Sequence, residues 1–176
     1  PLRKRELQHR GRTHRLLRDT CRRFAGKEIA PYAHEWEEAE SFPRALYEKA
    51  GAEGLLGVGF PEEVGGSGGG GLHMVLGIEG LMRGGSTGVV VGLSVAGISL
   101  PPIIQSRKEA LWDRYVRPAI AGELVASLCI TEPGTGSDVS AVRTRATRDG
   151  DAYIVNGSKL FITAGVVADA YSTLVR

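Results

Sequence analysis

Aromatic side chains make up only 6% of this 176-residue sequence, and cysteine is scarcer still, with Cys21 and Cys129 alone. Neither cysteine belongs to a CxxC pair, and the two are far apart. That excludes a disulfide framework and a cysteine-based zinc site, and leaves both to be read as small buried hydrophobes in a reducing compartment. Uninterrupted apolar runs are also lacking. A bilayer span needs roughly 18 apolar residues in succession, and the longest candidate, residues 89–104, is broken by Gly92, Gly97, Pro101 and Pro102. No apolar core of a secretory signal follows the basic N-terminus. Internal repeats, low-complexity linkers and a G-X-Y period are likewise missing. No GKS or GKT follows the glycine cluster at 65–71, so it is not a P-loop.

What is present is ordinary for a globular chain: 42% hydrophobic and 24% charged residues. The formal net charge of +2 conceals an asymmetry. Residues 1–23 carry nine basic side chains (Arg3, Lys4, Arg5, Arg10, Arg12, Arg15, Arg18, Arg22, Arg23) against Glu6 and Asp19, which leaves a net −5 for the remainder. Such an arm could contact an anionic surface. No aromatic residue interleaves the arginines, however, and Arg15, Arg18 and Arg22 fall on one helical face opposite Leu17, Cys21 and Phe24, so a solvated helix face is expected and nucleic-acid binding is not. The sequence begins at Pro1 rather than Met, and something upstream is expected to have been removed or never included.

The first two thirds read as helices. Helical spacing covers residues 12–29, ending before Pro31, and then 32–39. Pro43 suits the first turn of a helix over 43–52. The run 65–71, Ser67 among six glycines, is a loop on entropic grounds. Segments 72–83 and 86–100 are strongly apolar and are expected to be buried helices, and 107–121 is amphipathic, kinked or ended at Pro118. Near Leu124 the period changes to two. Strands are expected at 125–131, at 142–148 and 152–155 as a hairpin about Asp149-Gly150, at 159–163 after the Asn156-Gly157 turn, and at 170–175. Asn156-Gly157-Ser158 is a formal glycosylation sequon, better explained as that hairpin turn. The expected fold class is α+β: an N-terminal all-α helical bundle over 1–122, then an incomplete antiparallel β-sandwich or barrel domain over 123–176.

Two patches could carry chemistry. In the first, Cys129-Ile130-Thr131-Glu132-Pro133-Gly134-Thr135-Gly136-Ser137-Asp138, the GxG of Gly134 and Gly136 is not a Rossmann site. Pro133 lies in the turn and no helix opens after the glycines. The stretch instead reads as a strand running into a donor-rich turn. Its alternatives are an anion-binding concavity and a plain β-turn with Asp138 capping the next segment. In the second, 157–165, a strand would put the Phe161 ring and the Thr163 hydroxyl on one face, suited to a heterocycle or to a half-buried sheet face.

Together with Ile29-Ala30-Pro31, Phe42-Pro43, Leu55-Leu56-Gly57, Pro61-Glu62-Glu63 and Gly122-Glu123, these patches resemble the acyl-CoA dehydrogenase family from about Arg12 onward. The resemblance implies a helical N-terminal domain, a middle β domain, and a C-terminal four-helix domain that this sequence does not include. It implies FAD as cofactor, with Leu128, Cys129, Ile130, Thr131, Glu132, Pro133, Gly134, Thr135, Gly136 and Ser137 running along the flavin and Phe161, Ile162 and Thr163 beside its reactive part. Thr131 would bond the ring edge, Ser137 would also bind the acyl-CoA substrate, and the Thr163 hydroxyl would lie near flavin N5. The implied reaction takes a proton from the α carbon of the thioester and passes a hydride from the β carbon to N5, giving a trans-2-enoyl-CoA, as in fatty acid β-oxidation. The catalytic Glu belongs to the absent C-terminal domain, so no catalytic residue is assigned here, and no metal is expected. Electron-transfer flavoprotein is the implied acceptor and a homo-oligomer, a tetramer, the implied assembly. Location would be bacterial cytoplasm or mitochondrial matrix. A truncated, non-catalytic interaction relative and the front half of an acyl-CoA oxidase are the competing readings. Two departures stand out: Ala164 replaces a usual Asn, and Leu128 a frequent aromatic residue.

Overall fold

A computed structural model describes residues 4–176, with side chains from residue 12 onward. The side chains of Arg3, Lys4, Arg5 and Arg10, part of the basic arm, lie outside the described residues. Helix α1, Lys4–Phe24, buries Cys21 and Phe24 and passes into a π-helical turn, Ala25–Ile29, closed by Ala30 N–H donating to Ala25 C=O. The wider turn places Ala25 and Ile29 inward together. The arginine face is only partly solvated, because Arg22 reaches Glu79 at 3.1 Å.

Short helices α2, Ala33–Glu38, and α3, Ala45–Ala52, follow. The glycine-rich loop then leads into α4, Gly71–Leu81. Helix α4 lies against α1 through small residues. A Cβ on Gly80 would stand 2.5 Å from that of Cys21, so this crossing excludes any side chain at position 80. The outward face of α4 differs from the expectation of a buried helix. Leu72, Val75 and Ile78 are 56%, 60% and 44% exposed. Its apolar character runs all round the helix, and α1 covers only the stripe of Gly77, Gly80 and Leu81.

The apolar run beyond Ser86 is broken into α5, Thr87–Leu93, α6, Ala96–Ser99, and α7, Pro101–Gln105. By length and composition, 87–105 could cross a membrane. Val89, Val90, Leu93, Val95 and Leu100 are instead committed to the protein core. The 107–121 segment is helical with two pitches. Helix α8, Glu109–Leu111, and α9, Arg117–Ala121, flank a π-helical turn, Trp112–Val116. Pro118 sits in the first turn of α9, where its missing N–H costs little.

Gly122 ends α9 in the left-handed conformation, with φ 82°. Strand β1, Ala126–Cys129, then pairs in parallel with β4, Ala170–Thr173, in the register Ala126↔Ala170. The long connection that parallel pairing requires holds the hairpin of β2, Arg145–Asp149, and β3, Ala152–Asn156. The α+β class is as expected, with one parallel pairing beside the antiparallel hairpin. Helices and strands are tied by buried bonds: Ser99 Oγ donates to Ala126 C=O at 2.8 Å, and Ser172 Oγ donates to Ser99 C=O at 2.7 Å. Arg44, at the start of α3, pairs with Asp169, whose carboxylate also accepts from Val125 N–H at 2.8 Å.

Candidate functional site

From Leu128 onward the chain varies its burial. Leu128, Ile130 and Thr131 are half-buried, while Cys129 and Glu132 point inward. At Glu132 it folds into a tight turn, Glu132 and Thr135 exchanging both backbone hydrogen bonds at 2.9 and 3.1 Å. Pro133, Gly134, Gly136 and Ser137 form the exposed rim. Nothing stands within 4 Å of where a Cβ on Gly134 or Gly136 would lie, so this backbone faces open space. The Thr135 hydroxyl turns in and donates to Ala141 C=O at 3.0 Å. Asp138 accepts from Ser140 N–H and Oγ, the capping arrangement expected of it, at the start of a short 3-10 turn.

The second patch is brought alongside the first. Leu160 N–H donates to Thr131 C=O at 2.9 Å, and Lys159 Nζ donates to Ile130 C=O at 2.8 Å. The expected strand over 159–163 does not form. Phe161 and Ala164 both adopt left-handed backbone, with φ 56° and 58°, and the segment is a succession of turns. Phe161 and Thr163 therefore do not share a strand face. Local β-propensity is overridden because the chain must bend to keep Lys159 and Leu160 against the first patch. The consequence is an aromatic ring held out into solvent: Phe161 is 92% exposed. Thr163 is half-buried, and its carbonyl accepts from Ser127 Oγ.

One residue joins both patches from beneath. Glu132 is 6% exposed, and its carboxylate accepts from Arg143 N–H at 2.7 Å, Thr144 N–H at 2.8 Å, the Thr144 hydroxyl, and Lys159 Nζ at 2.9 Å. The Thr144 hydroxyl is the largest of the influences that pull its pKa down to about 2, against the opposing effect of burial. Behind Ile162 and Thr163 lies a cavity of about 590 Å³, floored by Trp36, Phe42, Tyr47 and Val89.

Of the residues expected along a flavin, Cys129, Glu132 and Thr135 thus turn their side chains into the protein and present backbone only. The hydroxyls of Thr131, Ser137 and Thr163 have no hydrogen-bond partner among the described residues. Three free hydroxyls, two open glycines and an uncovered aromatic ring suit a planar heterocycle with hydrogen-bonding edges. These donors and this ring are of the chemistry that a flavin would take. The joining roles of Thr144 and Lys159 were not read from the sequence. A lysine two residues beyond Asn156-Gly157 was the available signal, but pairing with Glu132 is a tertiary fact.

The Acyl-CoA dehydrogenase, N-terminal domain, family model matches residues 11–123, and the Acyl-CoA dehydrogenase, middle domain, model matches 127–176. Long-chain specific acyl-CoA dehydrogenase, mitochondrial, of Rattus norvegicus is 38% identical over 89% of this chain and 36% of its own length. The crystal structure of a "probable acyl CoA dehydrogenase" from Mycobacterium abscessus is 51% identical, with a TM-score of 0.88 over 92% of this chain and 43% of that one. A glutaryl-CoA dehydrogenase from Mycobacterium smegmatis, solved in complex with FADH2, superposes with a TM-score of 0.87 at 28% identity, covering 93% of this chain and 42% of that one. The chain thus spans less than half the length of the relatives it matches. On these matches and this fold, the chain belongs to the acyl-CoA dehydrogenase family.

Proposed function

We propose that this chain forms the helical part and one flavin-binding wall of an enzyme that dehydrogenates an acyl-CoA thioester to the trans-2-enoyl-CoA. The observation that carries the reading is the wall itself: the rim Thr131–Ser137 and the turn Phe161–Thr163 held side by side, with free donors and an exposed ring. The solved relative in complex with FADH2 supports the choice of cofactor. Bound at the wall, FAD would supply the hydride acceptor for oxidation of the Cα–Cβ bond.

In this reading residues 128–137 would line the cofactor, with the Thr131 hydroxyl available to bond its ring edge. Ser137, exposed at the rim, would serve both cofactor and acyl-CoA. Phe161, Ile162 and Thr163 would lie beside the reactive part of the ring, with the Thr163 hydroxyl near it. Proton removal from the α carbon requires a carboxylate in a dry pocket. Glu132 is unsuited to that task, as its carboxylate is buried and committed to donors from Arg143, Thr144 and Lys159, and no other residue of this chain is assigned the role. In this reading the base comes from outside residues 1–176. Electron-transfer flavoprotein as acceptor and a homotetrameric assembly complete the proposal.

The test is anaerobic addition of acyl-CoA thioesters of graded length to the flavin-loaded protein that carries this chain. Bleaching of the oxidised flavin band is expected for at least one length. A flavoprotein that no acyl-CoA reduces would sink the proposal, and peroxide formation in air would point to an oxidase instead.

A further inference from the structure

Glu132 lies within the segment expected to run along the flavin, yet nothing about its carboxylate faces outward. Two carboxylate oxygens offer about four acceptor positions. Here Oε1 takes Thr144 N–H, the Thr144 hydroxyl and Lys159 Nζ, and Oε2 takes Arg143 N–H. The donors come from two places in the chain, the lead-in to β2 and the loop after β3. Lys159 spends a second proton on Ile130 C=O, just before the rim. Lys159 is itself 10% exposed at the side chain, so the pair is shielded from solvent on both sides. Removing Lys159 would leave the buried carboxylate without its counter-charge, a large penalty, and removing the Thr144 hydroxyl would cost it one of its hydrogen bonds.

The surrounding backbone is shaped to allow it. A Cβ on Gly157 would fall 2.3 Å from the Thr144 hydroxyl oxygen, so the loop after β3 closes over Thr144 only with glycine there. Leu160 N–H then reaches Thr131 C=O, and the strained Phe161 follows directly.

We infer that Glu132, with Thr144 and Lys159, is a positioning centre that sets the two flavin-facing segments in register, and that its carboxylate is not a ligand of the cofactor. The inference rests on the cofactor reading above. It predicts that the centre governs cofactor affinity through the placement of Phe161 and Thr163 and not through direct contact. The ionised state persists across the physiological range, since the same donors hold the carboxylate well below its ordinary pKa.

Two measurements on the full-length protein that carries this chain test this. In the first, amide hydrogen exchange is followed without cofactor in wild type, Glu132→Gln, Thr144→Val and Thr144→Ser. Gln brings an NH₂ where only acceptors fit, and Val removes the hydroxyl, whereas Ser keeps it. Exchange of the Leu160 amide should quicken about tenfold or more in Glu132→Gln and Thr144→Val, and stay near wild type in Thr144→Ser. In the second, the FAD dissociation constant, taken per folded molecule, should rise about tenfold in the same two variants and return to the wild-type value in Thr144→Ser. Should Glu132→Gln fail to fold, the two Thr144 variants carry both measurements. Folded variants with unchanged Leu160 exchange or unchanged FAD affinity would overturn the inference, as would a Thr144→Ser protein that behaves like Thr144→Val. A wild-type protein that carries this chain within its full length, with protected Leu160 and no affinity for FAD, would overturn the cofactor reading while leaving the register role of Glu132 standing.

Discussion

Two left-handed residues in four positions, Phe161 and Ala164, mark the turn beside the first patch. A non-glycine residue there costs roughly 1–2 kcal/mol, and asparagine tolerates the conformation better than alanine because its side chain bonds the local backbone. The family's usual Asn at this place thus acquires a conformational reason, and Ala164 a conformational penalty. Ala164→Asn should stabilise the chain by about 1 kcal/mol, read from the denaturant midpoint at constant slope. A second residue-scale prediction concerns pH. Glu132 has a folded pKa near 2, below its ordinary unfolded value of about 4.3. A lowered folded pKa stabilises the native state above the unfolded pKa, and that contribution fades as pH falls from about 4.3 toward 2. The stability gap between wild type and Glu132→Gln should therefore be widest near neutrality and narrow below pH ~4. A gap independent of pH over that range would mean the carboxylate is not the group responsible.

At the scale of elements, the α1–α4 crossing depends on the absence of a side chain. Gly80→Val would place methyl groups where Cys21 and the α1 backbone lie, at 2.5 Å and 3.2 Å from a Cβ. A loss of about 1–3 kcal/mol is expected, with α4 amides exchanging first. Burial also pushes the Cys21 thiol up to about 11, so it should resist thiol reagents until this crossing opens. Element types were largely legible in the sequence because they follow local signals: the first helical stretch ends at Ile29 just before Pro31, α9 ends at Gly122, and the β2–β3 hairpin turns at Asp149-Gly150. The failures share one cause. The turn at 161–164 looks like a strand by composition, but Lys159 and Leu160 are drawn to Ile130 and Thr131, and long-range bonds leave no local trace. The exposed face of α4 was missed for the complementary reason. An all-round apolar helix predicts burial, and only the packing shows which side α1 reaches. The candidate site was legible as residue types through family resemblance, whereas its inward half, Glu132 with Thr144 and Lys159, became visible only in three dimensions.

For the whole molecule, apolar surface is distributed unusually. Leu72, Val75 and Ile78 on α4, Val91 and Ile98 on α5 and α6, and Tyr153, Ile154 and Val155 on β3 are all exposed. Patches of this kind drive association. The 176-residue chain should self-associate with concentration and bind a hydrophobic dye while still folded, as light scattering coupled to gel filtration would show. A strictly monomeric, dye-silent chain at high concentration would contradict the exposed faces. The central claim is that residues 131–137 and 161–163 together form a cofactor wall. Its most direct test is a backbone-amide NMR titration of the folded chain with FAD. The account predicts saturable shifts confined to the amides of Thr131, Gly134, Gly136, Ser137, Phe161 and Thr163 and their neighbours. Shifts centred elsewhere, or none at saturating FAD, would contradict it.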